Sequence, residues 1–541
     1  AIPGISGVNG SLITRQRLAR LSLDSNKAVL NFAHLFRAPL KLDTLTALAA
    51  VDFRSSTLLI DAEHFSLSNP DLGLSGRLWL EAAAKERPFL SLRAAYKDGR
   101  IESVPQYLPV AIMKPTLVSW LDGALQGGRL TEGDLLFHGR LQNPARLQKN
   151  QSGVMHASFS VSNPQVKFLH DWPLAAQGEG RVDFLNASMN IDLLKPKFAD
   201  TVIDRLNVQI PDMLKANLFI DARTNSSAGD LLGTLSRLPI LNVFDVVKQK
   251  ATAISGRVDS EVRLDIPLSK KLKKKIAVKA TADLKSVALS IHDWMIGFKQ
   301  LKGVVTVDND RVNAADLTAE YYGDKVRLSV AAQPERQRTA LSMKGKLHSQ
   351  NLLLLLPDYL RQPVAGSSDW EVAVSVGHQP TEQSPLLEIN AQSELQGSEF
   401  SFPEPVRVGG QQKQHLDFSA ELFGEGRFPF SLSLEDKIKA HGQLQFGASA
   451  DNTLAWLNVT LGGGEPVKGG SGVKIDGSIA RLDSGDWFDY KKQYFSGEDE
   501  GSTPFLQQLD SLELEVERLV LANQPASASK LRIVNNGKLL Q

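Results

Sequence analysis

Residues Tyr107 to Asn143 read YLPVAIMKPTLVSWLDGALQGGRLTEGDLLFHGRLQN, and they contain a change of period. In the first half Val118, Leu121 and Leu125 recur at helical spacing, with Trp120 and Ala124 alongside, as one face of a short amphipathic helix requires. Gly127 and Gly128 follow the last periodic position, where a helix C-cap favours a residue free to take positive φ. Beyond them the period becomes two: Leu135, Phe137 and Gly139 alternate with Leu136, His138 and Arg140. The stretch predicts a short helix handing over to a β-strand.

Strand-like alternation fills most of the chain on either side. Upstream it marks Leu58 to Ile60, Phe65 to Leu67, Leu78 to Leu80 and Leu90 to Leu92. Downstream it marks Phe159 to Val161, Val182 to Phe184, Met189 to Leu193 and Leu218 to Ala222. It is cleanest after residue 386, where Leu416, Phe418, Ala420 and Leu422 oppose Asp417, Ser419 and Glu421. Phe430 to Leu434, Ile438 to Phe446 and Leu512 to Val516 repeat the pattern. The links are too short for the dozen or more residues of a βαβ crossover, so antiparallel meanders are expected. Further helices are expected over Asp230 to Thr252, with Asp230 as the N-terminal carboxylate, over Leu352 to Leu360 and over Asp483 to Phe495. Handover glycines recur at Gly128, Gly256 and Gly366, spaced 128 and 110 residues apart, which reads as a degenerate repeat. The segments so defined are 1–106, 107–228, 229–350 and 351–541, the last an incomplete repeat, together expected to form one continuous groove.

Composition excludes several classes of function. The 541 residues carry a formal net charge of +1, no electrostatic footprint for nucleic acid. There is no cysteine, so thiolate metal sites and cysteine nucleophiles are excluded. The ten histidines are nowhere closer in sequence than His156 and His170, so no local ligand pair exists. Gly178-Glu-Gly180 and Gly424-Glu-Gly426 open like dinucleotide loops but have Asp183 and Pro429 at the third glycine. Gly469-Gly-Ser471-Gly has Val473 where a nucleophile elbow needs glycine. No enzyme activity and no cofactor is expected. No run approaches the ~20 apolar residues of a membrane span. The cluster Lys270 to Lys275 reads first as a solvated turn and second as a contact for anionic headgroups. Trp120, Trp172, Trp294 and Trp370 read as packing anchors near the junctions.

A family resemblance emerges from the order of short motifs. Tyr107-Leu-Pro109, Trp120-Leu-Asp122, Gly127-Gly128, Asp171-Trp-Pro173, Val182-Asp-Phe184, Leu264-Asp-Ile-Pro-Leu268 and Gly366-Ser-Ser-Asp-Trp370 together resemble the central region of the bacterial AsmA-like proteins, YhdP type. That resemblance implies a protein of the Gram-negative envelope, anchored in the inner membrane and spanning the periplasm. It would conduct phospholipid between inner and outer membranes. The chain reads as an excised soluble piece of such a protein, monomeric, without the family's transmembrane helix.

The strand pattern allows two ways of hiding the apolar faces. One is a set of closed β-sandwiches; the other is a long antiparallel sheet curled into an open, elongated gutter, with a few short amphipathic helices at the repeat junctions. Both demand the same alternation, and the resemblance favours the gutter. An exposed acyl chain costs about 0.8 kcal/mol per CH₂ in water, so a continuous apolar trough is a sufficient device for moving lipid. The residues expected to line it are Phe159, Val161, Phe184, Ile191, Val372, Val374, Phe418, Leu432, Leu444 and Phe446, with Glu371, Ser431 and Gln445 facing away. The competing functional reading is a non-catalytic envelope scaffold that recruits partner strands at its sheet edges.

Overall fold

A computed structural model describes residues 4–32, 35–54, 56–113, 115–142, 144–213, 215, 217–238, 251–268, 275–291, 296–309, 311–354, 358–377, 383–446, 453–494, 509–521 and 524–534. Strand exceeds helix by 66% to 11%, so sheet packing must hide the apolar residues. Thirty-one strands form one mostly antiparallel sheet that is not closed. A separate three-stranded sheet holds Gly4–Ser6, Val29–Asn31 and Leu40–Lys41. By internal contacts the chain divides into two compact units. The first is 1–248 with 257–282, and the second is 249–256 with 283–541.

The first unit is a meander in which each strand of the main ladder pairs antiparallel with the next, the short strands Ala175–Ala176, Lys197–Phe198 and Thr201–Val202 lying in the connections between ladder strands. Its long strands run from Gly10–Arg15 through Phe89–Arg100, Leu125–Arg140 and Gly153–Val166 to Ala253–Pro267. Many exceed the usual five or six residues; Leu125–Arg140 has sixteen. The second unit continues the pattern from Ile296–Asp308 to Ile438–Gln445 and Thr453–Leu461. It then departs from the expected antiparallel order. Gly472–Asp483 lies parallel to both Thr453–Leu461 and Leu509–Leu521. The first crossover uses only residues 462–471, and Gly462, Gly463, Gly464, Gly469 and Gly470 all take positive φ there. Asn458 Nδ2 donates to the carbonyls of Val467 (2.7 Å) and Gly469 (2.9 Å), holding the crossover against the sheet. Glycine lets ten residues complete a return that otherwise takes a dozen or more.

The helices sit at the expected junctions, with different ends. Pro115–Ala124 begins on a proline and stops before the glycines. Ala228–Leu235 is capped by Ser227, whose Oγ accepts from the Asp230 N–H at 3.0 Å. Asp230 stands in the first turn, as expected of an N-terminal carboxylate, and Ser227 is the cap. Ser484–Tyr494 matches the fourth expected helix. The third is reduced to a 3₁₀ turn, Ser349–Leu352, and the four-residue Asp358–Arg361. A helix over Pro144–Asn150 was not legible as one; it is fixed by fully buried Leu147. Most of Asp230 to Thr252, Trp294, Leu355 to Leu356 and Lys270 to Lys274 lie outside the described residues.

The handover glycines also act differently from the C-caps expected of them. Gly128, Gly256 and Gly366 all have positive φ, at 113°, 101° and 83°. Each lies inside the strand that follows the junction: Leu125–Arg140, Ala253–Pro267 and Val364–Gly377. A Cβ on Gly366 would sit 2.1 Å from the Gly397 carbonyl oxygen, and one on Gly128 2.6 Å from that of Asn163. Their common role is a bent strand with close backbone approach.

Candidate functional site

Register decides which side chains share a face, because residues directly opposite each other on paired strands point the same way. In the first unit one such row reads Leu45, Leu67, Leu74, Tyr96, Gly133, Phe159, Val182, Ile191, Val208, Ile220, Leu264. It crosses eleven strands without a charged residue. The adjacent row passes through Leu135, Ala157, Phe184, Met189 and Ile210. Tyr96 contributes its ring 5.8 Å from Phe159, edge to face, and burial pushes its phenol up to about 12, so it stays neutral. The opposite face reads Glu132, Ser160, Arg181, Asp192, Asn207, Asp221, Arg263.

The second unit has the same construction. One row reads Leu317, Leu328, Met343, Val372, Ala391, Phe418, Leu432, Ala440, Val459, Ile475, Leu512, Ile533. Its neighbour includes Leu341, Val374, Ile389, Ala420, Phe430, Gly442, Leu457 and Val473. The opposite face carries Lys344, Glu371, Gln392, Asp417, Ser433 and Lys439. Lys344 donates to Glu371 at 2.7 Å, which holds that carboxyl below the usual range. A recess of about 440 Å³ on this face is lined by Glu371, Asn390, Asp417, Lys439, His441 and Glu465 among others. There burial, with the Lys468 charge, pushes His441 down, and its Nδ1 lies 2.7 Å from Ser431 Oγ.

All ten residues expected on the apolar face fall on one face within their own units. Phe159, Val161, Phe184 and Ile191 share the face of the first unit. Val372, Val374, Phe418, Leu432 and Leu444 share that of the second. Phe446 lies just past its strand, with its ring 5.2 Å from Phe428 on the same face. Only Val161 and Val372 are buried; the other eight are half-buried. Rings such as Phe159, Phe184 and Phe418 thus keep part of their surface uncovered. Sequence reasoning missed Tyr96, Leu328 and Met343 on these rows, and it read Phe430 as alternating without placing it among the ten; only register joins them to the ten.

The motif residues near the first junction hold the fold. The Tyr107 hydroxyl donates to Asp71 Oδ2 at 3.1 Å and accepts from Asn69 Nδ2 at 2.9 Å. Burial alone would raise the Asp71 pKa; hydrogen bonds from Arg100, Ser103 and Tyr107, with the Arg100 charge, outweigh it and hold the carboxyl low. Trp120 Nε1 donates to the Phe168 carbonyl at 2.8 Å, and Asp122 forms a two-pronged pair with Arg37 at 2.9 and 3.1 Å. Trp172 and Trp370 are buried, as packing anchors should be. Among the described residues no helix is long and apolar enough to cross a membrane.

Comparison with known proteins adds identity to this geometry. The family model described as "YhdP protein" matches residues 1–538. The intermembrane phospholipid transporter YhdP of Escherichia coli (strain K12) is 21% identical over 408 residues, which is 75% of this chain and 32% of that protein. The chain therefore spans about a third of the curated relative it matches. No solved structure matches it.

Proposed function

The chain belongs to the YhdP family, and from that premise we propose that it carries phospholipid along the apolar face of its sheet. In this reading the acyl chains lie against rows such as Phe159–Val182–Ile191 and Val372–Ala391–Phe418–Leu432, and the headgroups stay in water. The observation that carries the proposal is the uncharged row of eleven strands in one unit and its twelve-strand counterpart in the other. Moving two acyl chains of ordinary length through water would cost more than about 20 kcal/mol at ~0.8 kcal/mol per CH₂; contact with such a face removes most of that barrier. No covalent step is involved, so the role is non-catalytic. The path would run through the periplasm between inner and outer membranes, in a monomeric protein anchored in the inner membrane.

Photo-crosslinking side chains at Phe159, Phe184, Phe418 and Leu432 should capture phospholipid, whereas the same groups at Glu371, Ser431 and Gln445 should not. Equal labelling of both sets would refute the facing. No labelling at either set in membrane-exposed protein would refute lipid carriage.

A further inference from the structure

In the first unit the two ends of the strands differ in charge. Antiparallel order sends alternate connections to opposite ends, so the described residues of 16–17, 54–56, 84–88, 141–152, 186–187, 211–216 and 268–276 collect at one end. The described residues of these connections carry eight Lys or Arg against Glu86 and Asp212 as the only carboxylates. All eight cations are exposed: Lys85, Arg87, Arg146, Lys149, Lys215 and Lys275, together with Arg17 and Arg54. Arg17 and Arg54 both reach Asp52, at 3.5 and 3.0 Å. The described residues of 27–43, 70–71, 101–124, 167–178, 195–204 and 228–238 collect at the other end, where seven cations meet eight carboxylates. Pairs such as Arg37–Asp122, Lys195–Asp204 and Arg237–Asp200 neutralise it locally.

We propose that the basic end is a headgroup track: its exposed cations attract the phosphate of a lipid whose acyl chains lie on the adjoining apolar face, and they favour net anionic lipids over zwitterionic ones. The inference rests on the lipid-carrying role proposed above and adds a headgroup preference to it. Geometry supplies the physical reason. Strands lie about 4.8 Å apart, so connections recur along one end every ~10 Å. The Debye length at physiological ionic strength is ~8 Å. A phosphate moving along most of this end stays within about one screening length of a cation. The connection at 186–187 carries no charge and is the one interruption among those described. Exposed Phe53, Leu141, Leu185 and Leu268 flank the same connections, so apolar surface continues up to the charged end. A Lys or Arg near an anionic headgroup contributes on the order of a fivefold preference.

The test uses the purified chain and vesicles of phosphatidylcholine or phosphatidylglycerol with identical acyl chains, and reads lipid extracted into the protein by mass spectrometry. The wild-type chain should extract phosphatidylglycerol at least fivefold more readily, with the ratio shrinking as salt rises. Combining Lys85→Gln, Arg87→Gln, Arg146→Gln and Lys149→Gln should bring the ratio near one and leave phosphatidylcholine uptake unchanged. Replacing Lys27, Lys41, Lys167 and Lys197 by Gln removes the same charge from the other end and should leave the preference intact. Extraction with no preference, or a preference that survives the first set, overturns the track and leaves lipid carriage standing. Loss of preference in both sets assigns it to net charge and also overturns the track. Co-sedimentation with anionic vesicles without extraction makes the basic end a bilayer-docking surface and overturns it. Failure to extract any lipid refutes lipid carriage itself.

Discussion

The two units reach the same surface by different routes. The first is antiparallel throughout its main ladder from Gly10–Arg15 to Ala253–Pro267, each long strand returning beside the one before it in the ladder. The second includes two parallel pairings before a last antiparallel one, the first reached by a glycine-rich crossover and the second following the helix Ser484–Tyr494. Yet Val459, Ile475 and Leu512 stay in one row across both parallel pairings, and Leu457, Val473 and Leu509 in the next. Strand direction is therefore dispensable, while the facing of apolar residues is kept. A parallel pair presents side chains to a face with the same period of two as an antiparallel pair, so a ladder can change direction without interrupting an apolar row.

If the face works alike in both units, a charge should block it in either. Val374→Asp in the second unit and Ile191→Asp in the first each place a carboxylate beside passing acyl chains. A barrier of ~2.7 kcal/mol slows passage about 100-fold. Both positions are half-buried, so the carboxylate can reach water and the fold should survive. Lipid transfer by the whole protein should fall about 100-fold with circular dichroism unchanged, whereas Glu371→Ala should leave it intact. Transfer lost in one unit only would break the equivalence. Unfolding of both variants would make the face a closed core.

Stability separates glycines that a bent strand requires from one that nothing requires. Gly366→Ala combines positive φ with a backbone oxygen at 2.1 Å, and should cost roughly 1–3 kcal/mol. Gly128→Ala, its counterpart in the first unit, should cost a similar amount. Gly123 lies in the Pro115–Ala124 helix, and its added Cβ would meet nothing within 4 Å; Gly123→Ala should stabilise by roughly 0.5–1 kcal/mol. Denaturant midpoints of the three variants check the order, and a neutral Gly366→Ala would mean the bend relaxes freely.

The smallest expected effects are electrostatic and of opposite sign in the two units. In the first, the Asp71 carboxyl is held below its ordinary value of 3.8. Its contribution is complete above that value and disappears as pH falls through the lowered one. In the second, hydrogen bonding to Glu394, with Asp417 adding its charge, raises His415 above its ordinary 6.5. That contribution is complete below 6.5 and disappears as pH rises through the raised value. His415 is exposed, which keeps the effect small. Asp71→Asn should remove part of the acid loss of stability and His415→Gln part of the loss above neutrality. Unchanged pH profiles in both variants would refute the assignments.

Sequence by itself determined the strand-rich class, the helix positions near residues 115–124 and 484–494, and the alternation of Leu416 to Leu422, because a period of two or 3.6 is a local property. It also placed the ten face residues, since parity along a strand requires no partner. The family was legible from Tyr107-Leu-Pro109 and the motifs that follow it in order. Only tertiary structure decided the rest. The Pro144–Asn150 helix forms because Leu147 finds a fully buried site. Gly128 and Gly366 bend strands rather than cap helices because Asn163 and Gly397 approach them from distant parts of the chain. The parallel return of Gly472–Asp483 depends on a crossover held by Asn458. Register, which joins Phe159 to Val182 and Val372 to Ala391, is a relation between strands; no strand read alone contains it.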